Sequence, residues 1–207
     1  MKFFPCFCLL FFIFSCSDDA YEKNNTPIDE SDTAVIKPQA KNPYSATDVS
    51  PLDISYFPTD YPIQKMTGKG NAQPIARVIY GRPHKQGRKV FGQLLQYGEA
   101  WRMGANEATE LELFQSLTVQ NKVIPKGRYI MYGIINEDKW TIILNRNLFS
   151  WGLKPDTTKD VYKFEVPVSR STQLIEYFTI VFEKTSDNSM NLLISWDDVI
   201  VRLPIKF

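Results

Sequence analysis

A chain of 207 residues, 43% hydrophobic and 23% charged, has the make-up of one ordinary globular domain with a tail, which excludes wholesale disorder and an integral membrane bundle. Lys2 is the only charged side chain before Cys16, so cleavage there leaves 23 basic residues against 23 acidic ones, and a neutral chain without a clustered basic surface excludes nucleic acid as a partner. Cys6, Cys8 and Cys16 are the only cysteines and His84 the only histidine, so the body of the chain holds no disulfide, no thiol chemistry and no zinc site of His and Cys; no metal and no cofactor is implied.

Residues 1–15 read as a lipoprotein signal peptide. Lys2 supplies the positive start, Phe3 to Phe14 an apolar run too short to span a bilayer, and small Ser15 precedes Cys16. Ile13-Phe14-Ser15-Cys16 resembles the bacterial lipobox, which makes Cys16 the acylated first residue of the mature chain. Several acyl chains bury far more methylenes than the single chain that binds only marginally, so attachment to the membrane is expected to be stable. Ser17-Asp18-Asp19 resembles the acidic signal that sends some lipoproteins to the cell surface, and an acidic linker looks the same. The expected place is the bacterial outer membrane, with the periplasmic face and the cell surface both open.

Residues 16–70 are rich in Asn, Asp, Ser, Thr, Lys and Pro and lack a sustained apolar period, so they read as a flexible, disordered tether. Within them, the Pro51 to Pro58 stretch has enough apolar character to lie against a domain.

From residue 71 to 207 the pattern becomes short β-branched and aromatic runs between turn residues. About eight strands are expected: Pro74–Tyr80, Glu110–Val119, Arg128–Ile135, Trp140–Asn145, Val161–Val168, Leu174–Glu183, Asn191–Trp196 and Val199–Lys206. Asn136–Lys139, Thr185–Asn188 and Asp197-Asp198 are expected to close hairpins. Phe178, Ile180 and Phe182, then Val199, Val201, Leu203 and Ile205, alternate as one face of a strand does. Tyr97 to Met103 is the best helical stretch, only a turn or two long. The fold class is all-β, an antiparallel sandwich or barrel-like domain.

Chemistry is concentrated between Tyr80 and Thr109, where five of the ten glycines mark tight turns or close backbone approach on what reads as loops. Arg82, Arg88 and Arg102 offer planar forks to a carboxylate, phosphate or sulfate, with Asn106 and Glu107 as further partners; the same residues also suit internal bracing, Arg102 against Glu107. Trp101, Tyr97, Trp140 and Trp151 suit either a flat ligand or the core. No Gly-x-Ser-x-Gly elbow, Walker loop or dinucleotide fingerprint occurs, and His84 sits in a polar loop that reads as solvated. Glu107, Glu110 and Glu112 are carboxylates of the right type for a glycosidase, without a defined opposed pair.

The run Tyr80-Gly-Arg-Pro, Gly87-Arg88, Phe91-Gly92, Tyr97-Gly98, Trp101-Arg102 and Gly104-Ala-Asn-Glu-Ala-Thr109 resembles the DUF2911 family. Lys126-Gly127-Arg128-Tyr129, Trp140 to Asn145, Trp151-Gly152 and Trp196 to Ile205 continue the resemblance. It covers roughly Ala72 to the end and implies a single domain, with no catalytic residue to carry over, since the family is one of unknown function. Three expectations follow: a membrane-anchored envelope module binding a carbohydrate or small anion without catalysis, a glycan hydrolase using Glu107 with Arg102, or a structural partner protein in the envelope.

Overall fold

The computed structural model of the chain describes residues 48–68 and 73–207. Cys16, the signal-peptide reading of 1–15 and most of the tether reading lie outside the described residues.

In chain order the elements are β1 (Leu52–Phe57), α1 (Tyr61–Met66), β2 (Ala76–Gly81), β3 (Ala100–Trp101), β4 (Thr109–Leu113), β5 (Leu117–Val119), β6 (Lys122–Ile124), β7 (Gly127–Ile135), β8 (Lys139–Asn145), β9 (Asp160–Ser186) and β10 (Ser189–Lys206). Every described strand pair is antiparallel, in the order β1-β2-β4-β7-β8-β9-β10-β5-β6, with β3 added on β7. The all-β expectation holds, with ten strands in place of about eight. No helix among the described residues is long and apolar enough to cross a membrane.

This open sheet folds over on itself around one core. β9 is long enough to bond β8 through its first third and β10 through the rest. Rings from distant parts of the sheet order meet inside: Phe57 of β1 lies 6.2 Å from Phe182 of β9, and Tyr80 of β2 lies 5.6 Å from Phe178, edge to face. The side-chain period of two puts Phe164, Val166, Phe178, Ile180 and Phe182 inward along β9.

β10 departs from simple alternation. Met190, Leu192, Ile194 and Trp196 are buried at even positions, then Val199, Val201, Leu203 and Ile205 at odd ones. The expected hairpin at Asp197-Asp198 is instead a β-bulge in one continuous strand: the register shifts on both sides of Asp197, whose φ is +54°. An extra residue restores inward facing after the kink. The Asp197 carboxylate is held there by the Val90 N–H at 3.2 Å and by Lys85 Nζ at 3.5 Å.

Other expectations are redrawn too. Val161–Val168 and Leu174–Glu183 are one strand, β9, and Glu110–Val119 is broken between Leu113 and Leu117 into β4 and β5. Tyr97–Met103 is no helix; its centre is the two-residue strand β3. Hairpins form at Asn136–Lys139 and Thr185–Asn188. Leu52–Phe57, inside the 16–70 stretch read as tether, is a six-residue strand in full register with β2.

Candidate functional site

β2 ends at Gly81, and the chain continues beside β9: the Phe178 N–H donates to the Pro83 carbonyl at 2.9 Å and the Lys85 N–H to that of Glu176 at 2.8 Å. A loop then leads to β3, and Arg102–Ala108 folds back over the end of β2. That return is tight. The Ala105 N–H donates to the Gly81 carbonyl, and a Cβ on Gly81 would fall 1.9 Å from the Ala105 carbonyl oxygen, so only glycine fits. Thr109 Oγ1 donates to the Met103 carbonyl at 2.6 Å, pinning the other side of the loop.

The loop between β8 and β9 closes the arrangement from above. Gly152, at φ +80°, packs so closely that an added Cβ would meet Ala108 Cβ at 2.9 Å and Arg102 Cβ at 3.1 Å. The base of this loop is anchored by polar side chains: Asn145 Nδ2 donates to the Asp156 carbonyl and to the Asp160 carboxylate, both at 2.8 Å, and the Tyr132 hydroxyl donates to Asp160 at 2.9 Å. Burial alone would raise the Asp160 carboxyl, but the bonds from Asn145, Lys163 and Tyr132 outweigh it and hold it below the usual carboxylate range.

These three segments enclose a cleft of about 400 Å³, a size suited to a small molecule. Trp101 and Trp196 line it, their rings 6.0 Å apart and 21° from parallel, with Leu95 beside them. Arg102 and Arg88 are its cations, and His84 lies at one side. Among the described residues no aspartate, glutamate or asparagine lines it.

Of the residues singled out from sequence, Trp101, Arg102 and Arg88 come together here. Trp101 is 8% exposed, packed edge-on to Phe178 and Trp140 while also lining the cleft, so it is core and wall at once. Arg88 is tied by Nε and Nη2 to the carbonyls of Lys85 and His84. Arg102 differs from every other arginine of the region: Nη1 is buried without a hydrogen-bond partner, and no hydrogen bond or ion pair of its guanidinium occurs among the described residues. Burial pushes its pKa below the ordinary arginine value, against the opposing field of Glu107, yet an arginine stays charged.

Arg82, Asn106 and Glu107 are elsewhere. Arg82 braces the fold, donating to the Phe178 carbonyl and to Asp53, both at 3.2 Å, over the Tyr177 ring. Asn106 donates through Nδ2 to Asp48 and to the Ser50 carbonyl at 3.1 Å, tying its loop to the segment before β1. Glu107 is exposed and does not line the cleft. The sequence reading missed His84, Leu94, Leu95, Leu153 and Trp196. His84 is no free loop residue: its ring stacks on Tyr177 at 4.4 Å and 7°, with Nε2 2.8 Å from the Glu176 carboxylate. Its being the sole histidine, next to Pro83 in the glycine-rich run, was the one available signal.

Among the described residues no group of three or more His, Cys, Asp or Glu side chains is arranged to hold a metal ion. The model of the DUF2911 family, described as a protein of unknown function, matches residues 62–205. No curated protein and no solved structure matches the chain.

Proposed function

The chain belongs to the DUF2911 family of unknown function, and from that premise we propose a membrane-anchored lipoprotein of the bacterial cell envelope whose β domain is a non-catalytic module that binds a small anion in the cleft beside Trp101. The anchor is the lipidated Cys16, and the outer membrane is its place. The observation that carries the binding reading is that Arg102 and Arg88 both line a cleft with no carboxylate among its described lining residues, while the Arg102 guanidinium has no hydrogen-bond partner among the described residues. A partly buried charge without a hydrogen bond is less stable than one that has it, so a fold that keeps such a group gains from a ligand that supplies the bond. Arg88 adds a second positive charge at the same cleft.

Two other readings lack such an observation. Glycan hydrolysis by Glu107 with Arg102 needs a proton donor facing substrate, and Glu107 is exposed and is not among the described residues that line the cleft. Carbohydrate binding needs acceptors for sugar hydroxyls, and Gln86 and Ser50 are the lining side chains best suited to supply them.

Calorimetric titration of the full chain, carrying Cys16→Ser to keep it unlipidated, with acetate, inorganic phosphate and N-acetylglucosamine tests the binding reading. At least one anion binds to the parent and not to Arg102→Met; binding of the sugar alone, or of an anion unaffected by Arg102→Met, defeats the reading. For the anchor, labelled palmitate fed to cells enters the parent chain and not the Cys16→Ser chain.

A further inference from the structure

We infer that the ligand of this cleft is an amphiphilic carboxylate, with one carboxylate on Arg102 and an apolar body leaving over the rim formed by Val49, Leu94 and Leu153. The inference rests on the anion-binding reading above and names the ligand's class.

The head group follows from charge and donor count. Arg88 has already given Nε and Nη2 to backbone carbonyls, and His84 faces Glu176, so Arg102 is the one cation at the cleft whose whole fork is uncommitted. The planar fork of Arg102 matches the two oxygens of a carboxylate. A phosphate would bring a third oxygen into a lining where Arg88 has already given Nε and Nη2 to carbonyls.

The body follows from the rim. Val49, Leu94 and Leu153 all line the cleft, yet they are 78%, 43% and 67% exposed. Large aliphatic side chains at the mouth of a cleft, above Leu95 and the two indoles, make a surface that water solvates poorly and an alkyl or aryl group covers well. Leu153 belongs to the same loop as Phe149 and Trp151, also exposed, so the apolar surface runs on past the mouth. A sugar or a bare inorganic ion would use none of it.

The test is a titration of the unlipidated full chain with acetate, butyrate, hexanoate and octanoate, beside octanol, inorganic phosphate and N-acetylglucosamine. Affinity should rise with chain length by up to about fourfold per buried methylene. Octanoate should exceed octanol by tenfold or more in the parent, and that margin should vanish in Arg102→Met. Leu153→Ser should flatten the dependence on length, and Arg102→Lys, which keeps the charge, should fall between parent and Arg102→Met. If phosphate or acetate binds as tightly as octanoate, the amphiphile inference is overturned and the anion reading survives. Octanol binding as well as octanoate overturns both, and so does the absence of binding by every anion.

Discussion

Two polar groups flank the loop between β8 and β9, and the fold treats them in opposite ways. In one, Asn145, Tyr132 and Asp160 are joined so that the asparagine amide, the tyrosine hydroxyl and the carboxylate all have partners, and the Asn145 side-chain Oδ1 accepts the Asn147 N–H at 2.7 Å. In the other, the guanidinium of Arg102, which shares a small cavity with Tyr132 and Asn145, has no hydrogen bond among the described residues, and its Nη1 is buried without a partner. Both groups lie against one loop, so a general looseness of packing does not explain the difference. Buried polar groups that serve the fold are satisfied within it, because each one left unpaired costs about 1 to 3 kcal/mol. A charged group left open beside a cleft is what remains when the partner comes from outside.

The comparison breaks most readily on the satisfied side. Asp160→Ala leaves the Tyr132 hydroxyl and one N–H of the Asn145 amide without partners in the interior and should cost about 4 kcal/mol in urea unfolding, at about 1 to 3 kcal/mol for each orphaned group. The same carboxylate gives a pH signature. Its folded pKa is depressed, so its contribution is present above the unfolded pKa of about 3.9 and is lost as pH falls through the folded value. The stability of the parent should therefore decline toward that of Asp160→Asn below about pH 4, while the gap between them stays constant from about pH 5 to 7. A gap independent of pH down to about pH 3 would mean that the network is not the charged one described.

Gly81→Ala comes next. Its new Cβ would overlap the Ala105 carbonyl, so the Arg102–Ala108 loop must lift from β2 at a cost of about 3 kcal/mol. Because that loop carries Arg102, anion binding should be lost with the stability; retention of full affinity would show that the cleft does not depend on this close approach.

How far the sequence foretold these two groups differs for physical reasons. Strand alternation in β9 and the Asn136–Lys139 turn are local, and they were legible. Strand β1 was not, because its alternation is inverted: Leu52 and Ile54 are exposed on an edge strand while Asp53 and Ser55 face half inward, where Asp53 meets Tyr80 and Arg82. The bulge at Asp197 escaped because a parity change between Trp196 and Val199 reads equally as a bulge or as a two-residue hairpin. Within the site, Trp101 and Arg102 stood out through their setting among glycines. Leu94, Leu153 and Trp196 could not, since three segments far apart in sequence meet only in the folded sheet. The three arginines shared one composition signal and have three different roles, which bonding partners alone decide.

Arg82 and Arg102 make that last point testable. Arg82→Ala loses a half-exposed ion pair with Asp53 and a bond to the Phe178 carbonyl, and should cost about 1 kcal/mol while anion affinity stays within about twofold of the parent.

Arg102→Met should do the reverse, and it is the smallest change in stability of the set. The methionine keeps much of the apolar length of the side chain and removes a charge that burial disfavours and that no hydrogen bond of the fold repays. Replacing such a group with a well-packed apolar one is typically neutral or stabilising, so the urea midpoint should stay within about 0.5 kcal/mol of the parent or rise above it. Anion binding should nevertheless disappear. A variant that is as stable as the parent and unable to bind separates site from scaffold at a single residue. If Arg102→Met instead unfolds as readily as Asp160→Ala, the guanidinium is a brace like Arg82, and the contrast between the two groups is lost.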